Sequence, residues 1–381
     1  MRVTAVLITA AALLAGTATP AAAHGADAPA ATDYRVSVTG ISPAVDGLTV
    51  RVIEAGARLE LANHTGRPIE VLGYGGEPYL EIRPTGVFEN LRSPTTYQNR
   101  TLAGDTAVPD TADPTAPPAW QRVSDEPVAR WHDQRTYWLG DALPAAVQAE
   151  PDRPHQVRQW SVPLRDGVTP FEVRGTLDWI PPPDPSLWWA GTLLGAVLLT
   201  AGLLAADRRG RDAAGRRSAG GRPTGAGRLA AGLLGAAGLV AIGYVVARAF
   251  DAGAAGPLEL ASALARGPVW ALLSGVAAVA AAGYAASRAG GDFGLALAGT
   301  CLAIFAGAGN AAVFTRAVAP VPGPALWPRL TVAAVLACGT AVAVAAVLRL
   351  RARVPRAGAP HRGDPTSGQL TDGEVRVEAD R

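Results

Sequence analysis

Lysine is absent from this 381-residue chain, so all 34 basic residues are arginine. That absence removes the P-loop, Schiff-base chemistry and the protein-kinase signature, each of which needs a lysine amine. Alongside the abundant Ala, Gly and Pro it reads as compositional bias and not as selection at a site. Cysteine is nearly as scarce. Cys301 and Cys338 both lie in apolar runs, where a free thiol behaves as a small hydrophobe. The N-terminal half has none and therefore no disulfide, but at roughly 160 residues it is long enough to rely on a core. The one methionine is Met1, which removes a thioether metal site. GxSxG, HExxH and CxxC do not occur, and no GxGxxG opens a helix. The familiar signatures of hydrolase, zincin, thiol-redox and dinucleotide chemistry are therefore missing.

What is present divides the chain in two. Residues from about 24 to 186 have ordinary globular variety. From Leu187 to about Leu348 the chain is mainly Ala, Gly, Leu and Val, with charges confined to short gaps. Between His24 and Ser186 there are 22 acidic residues against 14 arginines. An acidic domain of this kind excludes a nucleic-acid partner, because phosphate backbones need a basic face.

The N-terminus has the form of a signal peptide: Arg2, an apolar stretch from Val3 to Leu14, then small residues to Ala23. Ala21 and Ala23 fit the small-x-small cleavage pattern, so cleavage after Ala23 is expected and His24 becomes the first mature residue. Five segments approach the ~20 residues a bilayer span requires: Leu187–Ala206, Leu229–Ala247, Val269–Ala286, Phe293–Phe314 and Leu330–Leu348. Seven arginines fall in Asp207–Arg228, Arg288 follows the third span, and Arg349, Arg351, Arg353 and Arg356 follow the fifth. The alternate loops hold Arg248 with Arg266, and Arg316 with Arg329. Positive charge stays inside, so the N-terminal domain is expected outside the cytoplasm and the C-terminus within it. Trp188, Trp189 and Trp327 sit where interfacial aromatics anchor helices. The Arg-rich loop is expected against anionic lipid, and the polar tail is expected to be disordered. Glycines at 232, 235, 238, 307 and 309 permit close helix approach. Asn310 is the strongly polar side chain deep in a span, read as interhelical glue. Without Asp, Glu, His or Arg at a span centre, a helical anchor is favoured over a transporter.

In the N-terminal domain, alternating β-branched runs recur at Tyr34–Thr39, Leu48–Ile53, Arg58–Ala62, Ile69–Leu72, Tyr79–Ile82, Gln156–Pro163 and Phe171–Ile180. Turn signals separate them, among them Asp46-Gly47, Asn63-His64-Thr65-Gly66, Gly75-Gly76 and Asp166-Gly167. The expected fold is a β-sandwich-like extracytoplasmic domain (24–183) followed by an all-α transmembrane bundle of five helices (187–348). The signal peptide (1–23) precedes them and the cytoplasmic tail (349–381) follows. Residues from about Arg100 to Pro127, rich in Pro, Asp and Thr, read as a long loop. Pro181-Pro182-Pro183 is a stiff spacer above the membrane.

The densest chemistry is Trp131-His132-Asp133-Gln134-Arg135-Thr136-Tyr137-Trp138. It reads either as a pocket lining or as an edge segment that buries its Trp while His132 and Asp133 are solvated or paired with Arg135. His64 and His155 read as turn and loop residues, His361 falls in the tail, and Gly73–Tyr79 reads as a hairpin turn. His24, once first, offers its α-amino nitrogen and ring Nδ1 as a two-point chelate. One further imidazole, from His132, His64 or His155, completes a three-nitrogen site of the kind that favours Cu(II).

This organisation, with His24 as candidate first ligand, resembles copper-resistance proteins of the periplasmic C type and their fusions to a multi-span D-type membrane part. The methionines of that family's Cu(I) site are absent, as is an intramembrane His. The segments from Tyr34 to Pro183 are similar to an uncharacterised actinobacterial family of membrane-anchored exported proteins, which brings no known activity. The copper-resistance resemblance, with His24, implies a non-enzymatic binding domain for copper ions; the alternative reading is a structural or protein-interaction module of the cell envelope. A hydrolase or a transporter ranks below both.

Overall fold

The computed structural model describes residues 30–214, 224–288 and 290–353. The expected signal peptide, His24, the centre of the arginine-rich loop and the tail beyond Arg353 with His361 lie outside the described residues.

Ten strands build the N-terminal domain: β1 (Tyr34–Ser42), β2 (Leu48–Ile53), β3 (Arg58–Asn63), β4 (Ile69–Leu72), β5 (Pro78–Arg83), β6 (Gly86–Asn90), β7 (Trp120–Ser124), β8 (Val128–Trp131), β9 (His155–Asp166) and β10 (Thr169–Trp179). They form an antiparallel sheet in the order β1-β10-β9-β4-β5-β6-β7 and a second in the order β2-β3-β8. Alternation explains the inward faces: in β9, Trp160, Val162 and Leu164 are buried while Gln159 and Ser161 are exposed. Leu59, Leu61, Ala129 and Trp131 of the small sheet share one core with Ile69, Val71, Ile82, Val162, Leu164 and Leu177 of the large one. The expected β-sandwich is therefore the observed fold.

The segment read as a long loop is partly strand. Trp120–Ser124 is β7, paired with β6, and Val128–Trp131 follows as β8, paired with β3. Both sit at sheet edges, where short strands flanked by proline are tolerated. The residues of Trp120–Ser124 and Val128–Trp131 do not alternate cleanly between apolar and polar, and neither do those of Gly86–Asn90 in β6.

Two short helices, α1 (Pro94–Gln98) and α2 (Ala145–Ala149), interrupt the sandwich. After the proline spacer come α3 (Pro185–Ala214), α4 (Gly225–Asp251), α5 (Pro257–Arg266), α6 (Val269–Ser287), α7 (Asp292–Cys301) and α8 (Leu326–Arg353). Five segments are long and apolar enough to cross a membrane: Pro185–Gly210, Gly225–Asp251, Val269–Ser287, Asp292–Phe314 and Leu326–Arg353, hereafter the first to fifth spans. Three details differ from expectation. The loop after the second span contains α5, where Leu260 and Leu264 share one face at helical spacing. Arg248 lies within the second span and not in that loop. The fourth span is α-helical only to Cys301, then π-helical over Leu302–Gly307 and 3-10 over Ala308–Phe314.

Bare backbone sets the helix contacts. A Cβ on Gly238 would lie 2.8 Å from the Gly275 carbonyl oxygen, and one on Gly275 would lie 3.0 Å from that of Gly238. Gly299 and Gly339 repeat this reciprocal approach between the fourth and fifth spans, at 2.8 and 2.9 Å. Small residues allow such contact where lipid supplies no hydrophobic drive for helices to associate. At the bundle end away from the sandwich, buried Asp292 pairs with Arg349 (2.8 Å) and Arg353 (2.7 Å).

Candidate functional site

The Trp131–Trp138 segment and the Gly73–Tyr79 turn are brought together in one polar hub. Gly73 N–H donates to the Glu77 carbonyl (2.7 Å) and closes the β4–β5 hairpin, so the hairpin reading of this stretch holds. Within the turn, the Glu77 carboxylate accepts from Ser93 Oγ (2.5 Å), Thr95 Oγ1 (2.8 Å) and Gly75 N–H (2.9 Å). Burial pushes its pKa up, but those donors outweigh burial and hold the carboxyl below its usual range. Tyr74 Oη donates to Asn99 Oδ1 (2.5 Å) and accepts from Gln134 N–H (2.8 Å), linking the turn to the Trp-rich segment.

In that segment Asp133 is fully buried. Its Oδ1 accepts from Arg135 N–H (3.1 Å) and Nε (2.8 Å), and its Oδ2 from Trp131 Nε1 (3.0 Å) and Arg135 Nη2 (2.7 Å). Arg135 also donates to the Leu72 carbonyl. Burial pulls its pKa down, yet the bond to Asp133 together with the Asp133 charge and the nearby tyrosines more than offsets burial and raises it. Desolvation and then the Asp133 charge push the Tyr74 phenol up, and burial does the same to Tyr79 and Tyr137. These phenols are therefore donors at neutral pH and not bases. The hub holds charge in fixed hydrogen bonds, which is the chemistry of a rigid scaffold. The pairing of Asp133 with Arg135 is observed, whereas the alternative that His132 and Asp133 are solvated is not, because the fold buries both.

The candidate metal ligands do not converge. His132 is buried, its Nδ1 bonded to the Ala57 carbonyl (2.7 Å) and its Nε2 accepting from Arg58 Nε (3.2 Å). Both ring nitrogens are thus engaged. His64 is exposed beyond the far end of β3, about 20 Å from Arg58 at ~3.4 Å per strand residue. His155 Nε2 bonds the Glu150 carbonyl (2.7 Å). Among the described residues no group of three or more His, Cys, Asp or Glu is placed to hold a metal ion. The bonds on both ring nitrogens count against His132 as a metal ligand, and His24 lies outside the described residues.

Two surfaces escaped the sequence reading. One is a groove of about 370 Å³ across β1, β9 and β10, lined by Thr39, Gln159, Ser161, Glu172, Arg174 and Thr176. Gly175 also lines it. Its size is that of a small-molecule site, but its lining suits a polar ligand. The outward residues of any strand are polar, so no sequence signal marked it.

The other surface joins the sandwich to the bundle. Buried Glu60 accepts from Arg51 Nε (2.5 Å) and Arg130 Nε (2.6 Å), and Arg130 Nη2 donates to the Gly253 carbonyl (2.8 Å) after the second span. Burial raises the Glu60 pKa, but its two arginines more than offset that and lower it. Asp33 accepts from Arg316 Nη1 (2.6 Å) and Ala317 N–H (2.9 Å) after the fourth span. Thr32 and Val318 exchange backbone hydrogen bonds beside it. Across this joint Arg130 and Gly253 lie 123 residues apart in the chain, and Asp33 and Ala317 are 284 apart, beyond any local pattern. Trp188 and Trp189 pack on Phe314 at ring distances of 5.8 and 5.2 Å, which adds a packing role to the anchoring one expected. Compared with protein-family models, curated proteins and solved structures, the chain matches none.

Proposed function

We propose that this chain is an exported, five-span membrane protein that holds its β-sandwich outside the cytoplasm as a non-enzymatic binding module. One observation carries the reading: the sandwich grips the loops at one end of the bundle, while the arginine-rich segments lie at the other. Gly253 and Arg316 meet the sandwich, whereas Arg208, Arg209, Arg288, Arg349, Arg351 and Arg353 fall at the opposite span ends. Positive charge stays in the cytoplasm, so the sandwich faces out and anionic lipid lies at the other face. A binding role is supported by the hub, whose Glu77 and Asp133 are engaged in structural hydrogen bonds, and by the polar groove on the outward sheet.

Orientation is tested with single cysteines in a chain lacking Cys301 and Cys338. A cysteine at Val168, 98% exposed in the β9–β10 turn, should label on intact cells with an impermeant thiol reagent. One at Arg351 should label only after lysis. The reverse pattern would end the proposed topology.

The copper part of the proposal makes a separate demand, that the α-amino group of His24 be free and first. Full-length mature chain should lose Cu(II) affinity when one Ala is placed ahead of His24, should weaken for His64→Ala, and should be unaffected by His132→Ala. Affinity should also fall on acidification, because the amine must shed a proton with a reference pKa near ~8. Equal affinity with and without the added Ala, or no tight binding at all, removes copper and leaves the envelope-protein interaction reading.

A further inference from the structure

Glu54 and Ala55 are consecutive non-glycine residues with left-handed backbone, φ +55° and +57°. That conformation costs free energy for any residue with a Cβ and persists only where its surroundings impose it. Here the surroundings are the end of the second span. The backbone N–H groups of Glu54 and Ala55 lie beside the Asp251 carboxylate at that end, as a turn of successive N–H groups does around an anion. One helical turn earlier, Arg248 Nη1 donates to Asn310 Oδ1 (3.0 Å), and Asn310 Nδ2 donates to the Ala306 carbonyl (2.9 Å). The strained turn of the sandwich is thus linked to the irregular half of the fourth span.

That half is unusual in itself. A π turn is rare, and 3-10 runs longer than three or four residues are uncommon because their hydrogen bonds are poorly aligned. Here a π turn leads into a 3-10 segment of seven residues, Ala308–Phe314. Its far end is held from outside the helix. Arg329 of the fifth span donates to the carbonyls of Val313 (3.0 Å), Arg316 (3.2 Å) and Ala317 (3.2 Å). Asp33 of the sandwich takes Arg316 and Ala317, and the Thr32–Val318 bridge follows. The sandwich therefore reaches the same irregular segment from two sides, directly through Asp33 and indirectly through Asp251 and Arg248.

From this arrangement we infer that the sandwich is a latch, which when docked holds the sandwich-side half of the fourth span in its irregular form. When it lifts, that half loosens. A ligand that binds the lifted sandwich better than the docked one shifts the bundle, and by linkage the state of the bundle shifts ligand affinity. The inference rests on these contacts and not on which ligand the sandwich takes.

The test is amide exchange of the full chain in lipid nanodiscs, comparing wild type with the double variant Asp33→Ala, Asp251→Ala. Loss of the charge-assisted hydrogen bonds at Asp33, together with that of the half-buried Asp251 charge beside the strained turn, should speed exchange over residues 306–318 by about tenfold or more. Strands β9 and β10 and the first span should stay within about twofold of wild type. Arg316→Gln, which alters no sandwich residue, should give a smaller acceleration confined to the same stretch. Unchanged exchange over 306–318 would overturn the latch. So would acceleration spread evenly over sandwich and bundle, because the contacts would then serve the general fold and hold no particular segment.

Discussion

Asp133→Ala should be among the most damaging single substitutions in the sandwich, at about 3–5 kcal/mol, the usual cost of breaking a buried ion pair from one side. The carboxylate is fully buried and accepts four hydrogen bonds, three of them from Arg135. Removing it strands the Arg135 guanidinium beside the Leu72 carbonyl and the Tyr74 ring, with no counter-charge at that point. It also frees the buried indole N–H of Trp131, one of the residues that join the two sheets. For a domain of this size each kcal/mol moves Tm by about 2–4 °C, so the tryptophan-monitored melt should fall by about 10 °C. The double variant Asp133→Leu, Arg135→Met should recover part of that loss, since it buries no lone charge. A Tm drop of under ~3 °C for Asp133→Ala would show that the hub is not what holds the two sheets together.

How much of this was legible in the sequence follows from the range of each interaction. Strand alternation and turn glycines act over a few residues, so β2 and β4 were read with the observed limits and β1, β9 and β10 to within a few residues. Spans are a composition signal, and all five were found. Edge strands β7 and β8 hid because their residues do not alternate cleanly between apolar and polar. The irregular half of the fourth span hid for another reason. Ala303–Ala312 is composed like any small-sided helix, and the contacts at its far end, from Asp33 to Ala317 and from Arg329 to Val313, come from distant elements. The hub was half legible. The Trp131–Trp138 cluster stood out by density, but its union with Glu77 and Asn99 is a tertiary fact. His132 was conspicuous as an imidazole, and only its neighbours Ala57 and Arg58 show that its nitrogens are engaged.

The glycines of the spans make the same distinction measurable, because those conspicuous in sequence are not all at contacts. Gly232 has open space where a Cβ would stand, whereas a Cβ on Gly339 would lie 2.9 Å from the Gly299 carbonyl oxygen and 3.1 Å from Ala303 N. Those atoms are backbone, so no rotamer change relieves the clash, and a Leu at 339 must push the fourth and fifth spans apart. Overpacking of this kind costs about 1–3 kcal/mol, and more where backbone has to move. Gly339→Leu should therefore melt well below wild type in detergent, while Gly232→Leu should stay within about 0.5 kcal/mol. The displaced crossing lies one turn before the π segment, so Gly339→Leu should also disturb amide exchange over residues 302–314 with the sandwich still docked. Equal melting of the two leucine variants would mean that the reciprocal glycine contact does not set the approach of these helices.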